Sequence, residues 1–494
     1  MPPIRTHEVI EISDSESEHF SIPRKSRSAT LVERSPSVET KYKDASRKRP
    51  SRSHGPGKPY NVARTAVDDS KRVPKSILRS FVESQPVPSS ITVSGQKLTP
   101  TKGFNIFWYW CAERKLIDDR RRAGRSAPWT DDAILRDNFF CNTFRVLDQV
   151  SQFIIKEVIE KGPSEPREIL FRVLLFNMFT KPATWKYLEE ELGPLTWKSY
   201  NQGKYFSVLS KAKKRGTKLY TGAFQKPAPI FGLGDNFKNH LALLEVWMTR
   251  DQLLDHINKA DYLADIFEFI ASFPGMADFT GYQLLLNLGY TELLQFSGMD
   301  FVVPGLGAQS GLVKLFGGSL KKARANVPGI EVDIIEWMTK HQKQHFQRLG
   351  LHCPVLGPKN LTMELADVEH AICEVDKYLR MSHPSLKGLH DRTHNKRGHF
   401  KPSSVYPAKP TLPKAWSHPA RKIARVRAER PQIDKRYTVA YIGDMIKDKN
   451  GKVLYKVFWE NYSDDQATWE PEDELKKDAP LKVEEFLESR RHRH

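Results

Sequence analysis

The stretch that most constrains this chain is Phe458-Trp459-Glu460-Asn461-Tyr462, resumed at Thr468-Trp469-Glu470-Pro471. Before it, Tyr437-Thr438-Val439-Ala440-Tyr441-Ile442 and Val453-Leu454-Tyr455-Lys456-Val457 alternate apolar and polar residues. That period of two predicts a pair of half-buried strands. Asp448-Lys449-Asn450-Gly451 between them predicts a tight hairpin, because Asn and Gly tolerate positive φ. Leu481-Lys482-Val483-Glu484-Glu485-Phe486-Leu487 reads as a short amphipathic helix. Three strands closed by one helix form a unit of about sixty residues, near the lower size limit for folding unaided.

Residues 435–490 resemble a chromodomain over the whole of this unit. The resemblance implies an aromatic cage for methylated lysine on a histone tail, and its positions fall on Tyr437, Trp459 and Tyr462. A trimethylammonium group cannot hydrogen-bond, so ring faces hold it by cation–π attraction at about 0.5–2 kcal/mol per contact. The histone peptide is then expected as an added strand beside Tyr437–Val439, with backbone bonds giving affinity and the cage specificity. Core packing is the alternative for these three rings, and it is the reading taken for Trp469. Gln466 stands where the family often has an acidic residue, which leaves the preferred methylation state open.

At 494 residues the chain has room for two or three domains. No apolar run reaches the length of a membrane span; the best, Ile169–Phe179, is interrupted by Arg172 and Asn177. No secretory signal opens the chain, and Cys111, Cys141, Cys353 and Cys373 show no CxxC spacing. Reduced thiols in a cytosolic or nuclear protein are expected. The net charge of +19 is unevenly spread, with residues 381–436 holding 14 Lys and Arg against 3 Asp and Glu. Residues 1–100 and 381–434 therefore read as disordered basic segments that neutralise DNA phosphates without reading sequence; plain solvated spacers are the alternative. Within the first, Val9-Ile10-Glu11-Ile12 and the acidic run to Glu18 resemble a SUMO-interacting motif over residues 9–18. Arg47-Lys48-Arg49-Pro50-Ser51-Arg52 is a nuclear-import or nucleic-acid patch, or a plain solvated run.

Residues 101–380 are rich in aromatics and leucines with helical periodicity, and one large all-α domain is expected there. Pro128-Trp129-Thr130-Asp131-Asp132 predicts a helix start with Thr130 as cap, and the helix is expected to run from Ile134 through Phe153. Asn142, Arg145 and Asp148 would then share a face, lining a pocket or forming a structural ion-pair network. Ile270 to Gln283, with Pro274-Gly275 at its centre, has the pattern of a helix-hairpin-helix whose turn amides hold a DNA phosphate. Ala277 replaces its usual second glycine. Pro304-Gly305-Leu306-Gly307 opens a helix and is a second candidate anion site, tight packing being the alternative.

These pieces together resemble the helical domain of 5-hydroxymethyldeoxyuridine DNA kinases and the related α-glutamyl/putrescinyl-thymine pyrophosphorylases. The matching residues include Glu113-Arg114, Arg121, Pro128-Trp129, Asn142, Arg145, Asp148, Asp300, Gly305 and Cys373-Glu374-x-Asp376-Lys377-Tyr378. The resemblance implies a helix-hairpin-helix glycosylase-like fold that grips DNA and acts on a flipped, modified thymine. It further implies a pocket wall of Asn142, Arg145 and Asp148, with Asp300 as the acid–base group, Pro274 and Gly275 on one phosphate, and Gly305 and Gly307 on another. No GxxxxGK[ST] run is present, so ATP-dependent phosphorylation is not expected. His341 and His345 have metal-ligand spacing but no third ligand; solvated side chains are the better reading, and no metal or cofactor is expected. His390, His394 and His399 read as part of the basic segment around them. The chain thus reads as a nuclear chromatin protein with methylated histone tails, DNA and SUMO as candidate partners and no membrane. The alternative is a non-enzymatic adaptor subunit of a histone-modifying or chromatin-remodelling complex.

Overall fold

A computed structural model of the chain describes residues 28–30, 76–389, 400, 409–429, 436–459 and 467–491, apart from short gaps at 224–225, 230, 232, 250–252, 274, 277 and 448–450. The expected motifs at 9–18 and 47–52, and His390, His394 and His399, lie outside the described residues. A three-residue strand, β1 (Ser28–Thr30), is followed by helix α1 (Ile77–Ser84) and a hairpin of β2 (Ile91–Val93) and β3 (Gln96–Leu98). The helical body opens with α2 (Lys102–Arg122), α3 (Ala133–Asp137) and α4 (Gln149–Phe153), the last running into a π-helical turn over Ile154–Ile159. Next come α5 (Pro166–Phe179), α6 (Pro182–Leu192), α7 (Gln202–Lys214), α8 (Asn236–Thr249) and α9 (Leu253–Lys259). The pair α10 (Leu263–Ala271) and α11 (Asp278–Leu288) precedes α12 (Leu306–Phe316), α13 (Gly318–Asn326), α14 (Ile330–Arg348) and α15 (Leu365–Ser382).

Helix α2 is the axis of this body. Thr101 caps it by accepting from Gly103 N–H at 3.1 Å, and three arginines in its last turn suit the negative end of the helix dipole. Phe104, Phe107, Trp108, Tyr109 and Trp110 are fully buried, so apolar residues ring the helix and it must be enclosed on all sides. It is enclosed by α1, α12 and α15. Gly311 lets α12 and α15 meet: a Cβ there would lie 2.6 Å from the Ile372 carbonyl oxygen. His345 of α14 belongs to this core, stacked 5.0 Å from Trp108, and burial pushes its pKa down to about 4. It is therefore a packed ring, where a solvated histidine was expected.

Three other expectations change. Residues 76–100 are ordered, because the short α1 and the hairpin bury Val82 and Leu98 completely against the large body, which outweighs the polar composition around them. The helix expected from Ile134 to Phe153 breaks at Asn138, whose side chain turns back to the Ile134 carbonyl at 3.0 Å. Local side-chain bonds then compete with helix: Asn142 N–H and its amide both donate to Asp148 Oδ1, at 2.8 and 3.0 Å. The cap of α3 is Asp132, accepting from Ile134 and Leu135 N–H, whereas Thr130 accepts from Asp132 N–H.

Part of the segment 381–434, expected to be disordered, is a strap lying on the helical body. Thr411 N–H donates to Gln152 Oε1 at 2.8 Å, and Trp416 Nε1 and Arg421 both donate to the Gly289 carbonyl. Arg425 N–H donates to Asp300 Oδ1 at 2.7 Å, and Arg427 bridges Asp265 and Glu268. These basic side chains are engaged by the protein's own acids and carbonyls, a pairing that net charge along a sequence does not reveal.

The C-terminal unit is a meander of β4 (Arg436–Lys447), β5 (Val453–Trp459) and β6 (Thr468–Pro471), closed by α16 (Glu472–Asp478) and α17 (Pro480–Arg491). Gly451, at φ +78°, is the described part of the expected turn. Val439, Tyr455, Val457, Trp459, Val483 and Phe486 form its core. Register explains one correction. Glu470 pairs with inward-facing Tyr455 and is buried, so its neighbour Trp469, opposite Lys456, faces outward at 39% exposure instead of entering the core. Strand β1 runs parallel to β4, with Ser28 opposite Arg436 and Thr30 opposite Thr438. Among the described residues no helix is long and apolar enough to cross a membrane.

Candidate nucleotide-binding site

One face of α2 supplies Arg114, Asp118, Arg121 and Arg122, spaced so that all four point the same way. The irregular segment after α3 supplies Phe139, Phe140, Asn142 and Asp148, and the strap supplies Phe400. Between them lies a cavity of about 480 Å³.

Its polar groups are only partly used. Arg114 is 6% exposed; its Nε donates to the Cys141 carbonyl at 2.9 Å, while Nη1 has no hydrogen-bond partner. Burial lowers its pKa, against the pull of Asp118 and Asp148. Arg121 lies over Trp129 at 5.2 Å and over Phe400 at 5.5 Å, and its Nε is unpartnered. Burial, and then the neighbouring Arg114, lower its pKa too. Arg122 is the paired member, held by Asp118 at 2.6 Å and by the Leu147 carbonyl at 3.2 Å. Asn142 donates its amide to the Leu147 carbonyl and to Asp148, yet its Oδ1, in a residue 8% exposed, accepts nothing. Phe139 is 48% exposed and stands 6.5 Å from Phe400. The cavity thus combines cationic donors, one open amide acceptor and flat apolar walls, a set suited to a nucleotide: charge for phosphate, amide for a base edge, rings for stacking.

The structure brings Asn142 and Asp148 together in this cavity and places the other expected site residues elsewhere. Arg145 points into the body, where Tyr290, Gln283 and Asn287 accept from its guanidinium at 2.7–3.2 Å. Asp300 is 6% exposed; its oxygens accept from Ser297 N–H at 3.0 Å and Arg425 N–H, and burial raises its pKa. It closes a turn and anchors the strap, and it does not line the cavity. Gly275, at φ +72°, forms the turn between α10 and α11, but a Cβ there would lie 2.9 Å from the Pro227 carbonyl oxygen. That turn is covered by Pro227, Ala228 and Pro229, where an open phosphate seat was expected; Pro274 lies outside the described residues. The N-terminus of α12 is likewise taken. Gly305 N–H donates to Glu369 Oε1 at 3.0 Å, an internal carboxylate in the expected anion position, with Gly307 in the first turn behind it. Of the three cage positions, Trp459 is buried and donates to Thr468 at 2.9 Å, the side chain of Tyr437 is outside the described set, and Tyr462 lies outside the described residues.

Arg114 and Arg121 enter the sequence analysis only through the family resemblance. Their common face with Asp118 and Arg122 was the signal that marks them as cavity residues.

Two family models match the chain: the 5-hmdU DNA kinase, helical domain, over residues 101–388, and the Chromo (CHRromatin Organisation MOdifier) domain over residues 437–489. A curated relative, the 5-hmdU DNA kinase of Bacillus phage SP10, is 24% identical over 299 residues, 56% of this chain and 44% of the phage protein. The chain therefore spans less than half the length of that relative. No solved structure matches it.

Proposed function

The chain belongs to the family of the 5-hmdU DNA kinase helical domain, whose model spans more than half of its 494 residues, and from that premise we propose that this domain takes a hydroxymethylated pyrimidine nucleotide of DNA into the arginine–aromatic cavity. The observation that carries the reading is the pair of buried, unpartnered polar atoms in one cavity, Arg114 Nη1 and Asn142 Oδ1. A buried donor or acceptor without a partner costs about 1–3 kcal/mol, which a ligand supplying both partners would recover. That gain is of the size needed to offset extrusion of a base from the duplex, a few kcal/mol. In this reading Arg114 and Arg121 bind the phosphate, Asn142 reads the base edge, and Phe139 and Phe400 stack on the ring. Asp148 holds Asn142 in that pose by accepting from its backbone and amide N–H groups on Oδ1. Arg145 and Asp300 are positioning residues, the first fixing the turn that carries Asn142 and Asp148, the second the strap that carries Phe400.

The chromo domain is proposed to dock the chain on a methylated histone tail, which assigns it to chromatin in the nucleus. Because Trp459 is also a core residue, the cage is better tested by ligand than by its removal: a trimethyl-lysine peptide should bind and the unmodified peptide should not.

The test of the cavity is competition binding of the full chain to duplexes that differ at one base, carrying thymine, 5-hydroxymethyluracil or 5-hydroxymethylcytosine. Preference for a hydroxymethylated base that is lost in Asn142→Ala supports the reading. Equal binding to all three overturns it and leaves a chain that holds DNA without reading the base.

A further inference from the structure

Behind the cavity wall, Cys141, Asp148 and His370 converge: one ligand-capable atom from each lies within 4.8 Å of the other two. They come from the irregular segment after α3, the N-cap of α4 and the middle of α15, so the fold and not local sequence brings them together. Cys141 is in no disulfide. His370 Nε2, shielded from solvent, lies 3.3 Å from Asp148 Oδ2, so the imidazole and the carboxylate already face each other. In a tetrahedral zinc site with bonds of about 2.0 Å to nitrogen and oxygen and 2.3 Å to sulfur, ligand atoms stand roughly 3.3–3.6 Å apart. The His370–Asp148 spacing already has that value. Asp148 is held in place by Asn142, whose backbone and amide N–H groups occupy its other oxygen at 2.8 and 3.0 Å. A carboxylate oriented in this way by its neighbours is what a metal ligand requires.

We propose that Cys141, Asp148 and His370 form a three-ligand site for a divalent transition metal of the zinc class, with the fourth position left to water. Thiolate, imidazole and carboxylate together suit zinc, cobalt or nickel and disfavour magnesium or calcium, which take oxygen ligands. The side chains of His370 and Asp148 keep 21% and 20% exposure, enough for a metal to enter. The ion would fix Asp148, and through it Asn142, at the wall of the nucleotide cavity. The site stands on its own residues and does not depend on what the cavity binds.

The experiment uses the metal-stripped full chain without DNA, titrated with zinc against a chromophoric chelator and, separately, with cobalt followed by absorption. One equivalent is expected to bind, with a thiolate-to-cobalt charge-transfer band that disappears in Cys141→Ser. Loss of a residue that only hydrogen-bonds a ligand weakens metal sites roughly 10–100-fold, so His370→Ala, which removes a ligand itself, is expected to weaken zinc by more than that. Absence of the cobalt band, or the same band and affinity in both variants, overturns the proposal and moves any bound metal elsewhere. If the variants fold poorly, zinc protection of Cys141 from alkylation in the unaltered chain, read by peptide mass mapping, decides. Protection supports the site, and an unchanged alkylation rate overturns it.

Discussion

Arg121 is the most informative residue to alter, because its loss separates binding from folding. The guanidinium makes two ring contacts, with Trp129 and Phe400, each at roughly 0.5–1 kcal/mol for a partly exposed pair. Its removal also relieves repulsion from Arg114, one of the causes that lower its pKa. Arg121→Ala should therefore cost no more than about 2 kcal/mol of stability, and the chain should fold. Binding is another matter. A charge-assisted hydrogen bond to phosphate contributes about 1.5–3 kcal/mol, so the variant should bind DNA roughly 10- to 150-fold more weakly. One fewer neutralised phosphate should also lower the slope of log K against log salt by about 0.9. Arg121→Lys keeps the charge and loses the planar fork, so its slope should stay and its affinity fall between the other two. Fluorescence anisotropy with a labelled duplex at several salt concentrations measures both quantities. An unchanged Kd together with an unchanged slope in Arg121→Ala would refute the placement of phosphate at this arginine.

Other outcomes follow from the same structure. Burial, and then Asp367, raise Glu364 to a pKa of about 7 from the ordinary 4.5, so the folded chain holds this proton more tightly than the unfolded chain. Its contribution to stability is complete below about 4.5 and is lost as pH rises through about 7; Glu364→Gln should flatten the melting temperature across that window, and an unaltered pH profile would count against it. His345 behaves oppositely: with a pKa near 4 it stabilises above 6.5 and loses that as pH falls, so His345→Phe should resist acid better than the unaltered chain. Trp416 packs at a tilt against Tyr290 and donates to the Gly289 carbonyl, so Trp416→Ala should speed limited proteolysis between residues 409 and 429; identical cleavage would mean the strap is held elsewhere. Because β1 lies on the edge of β4 where a histone peptide is expected, removing residues 1–74 should tighten trimethyl-lysine peptide binding by about fivefold or more, as measured by calorimetry. Unchanged affinity would show that β1 does not compete.

What the sequence disclosed depended on how local the determining physics is. The meander of β4, β5 and β6 was legible because period-two alternation is set within each strand, and the Gly451 turn is set by four residues. Trp469 was misplaced because its facing depends on register with Lys456, which one strand alone does not fix. The helical body was legible as a class from its apolar periodicity. The break at Asn138 was not, since Asn142 satisfies Asp148 through bonds that compete with a helix only once the chain has turned to set the two side by side. The expected phosphate seats at Gly275 and Gly305 were lost to tertiary partners, Pro227 and Glu369, that are remote in sequence. Phe400 in the cavity and His370 behind it are remote in the same way: Phe400 meets Phe139 and His370 meets Asp148, both far earlier in the chain, so only the fold joins them.

The central claim is that a hydroxymethylated pyrimidine leaves the duplex and enters the cavity lined by Arg114, Arg121 and Asn142. The direct measurement is 2-aminopurine fluorescence, with the probe placed next to a single 5-hydroxymethyluracil in a duplex bound by the full chain. The account predicts a rise in fluorescence as the neighbour unstacks, absent with thymine at that position and absent with Asn142→Ala. Saturated binding with no rise for 5-hydroxymethyluracil would contradict it, because the base would have stayed in the stack.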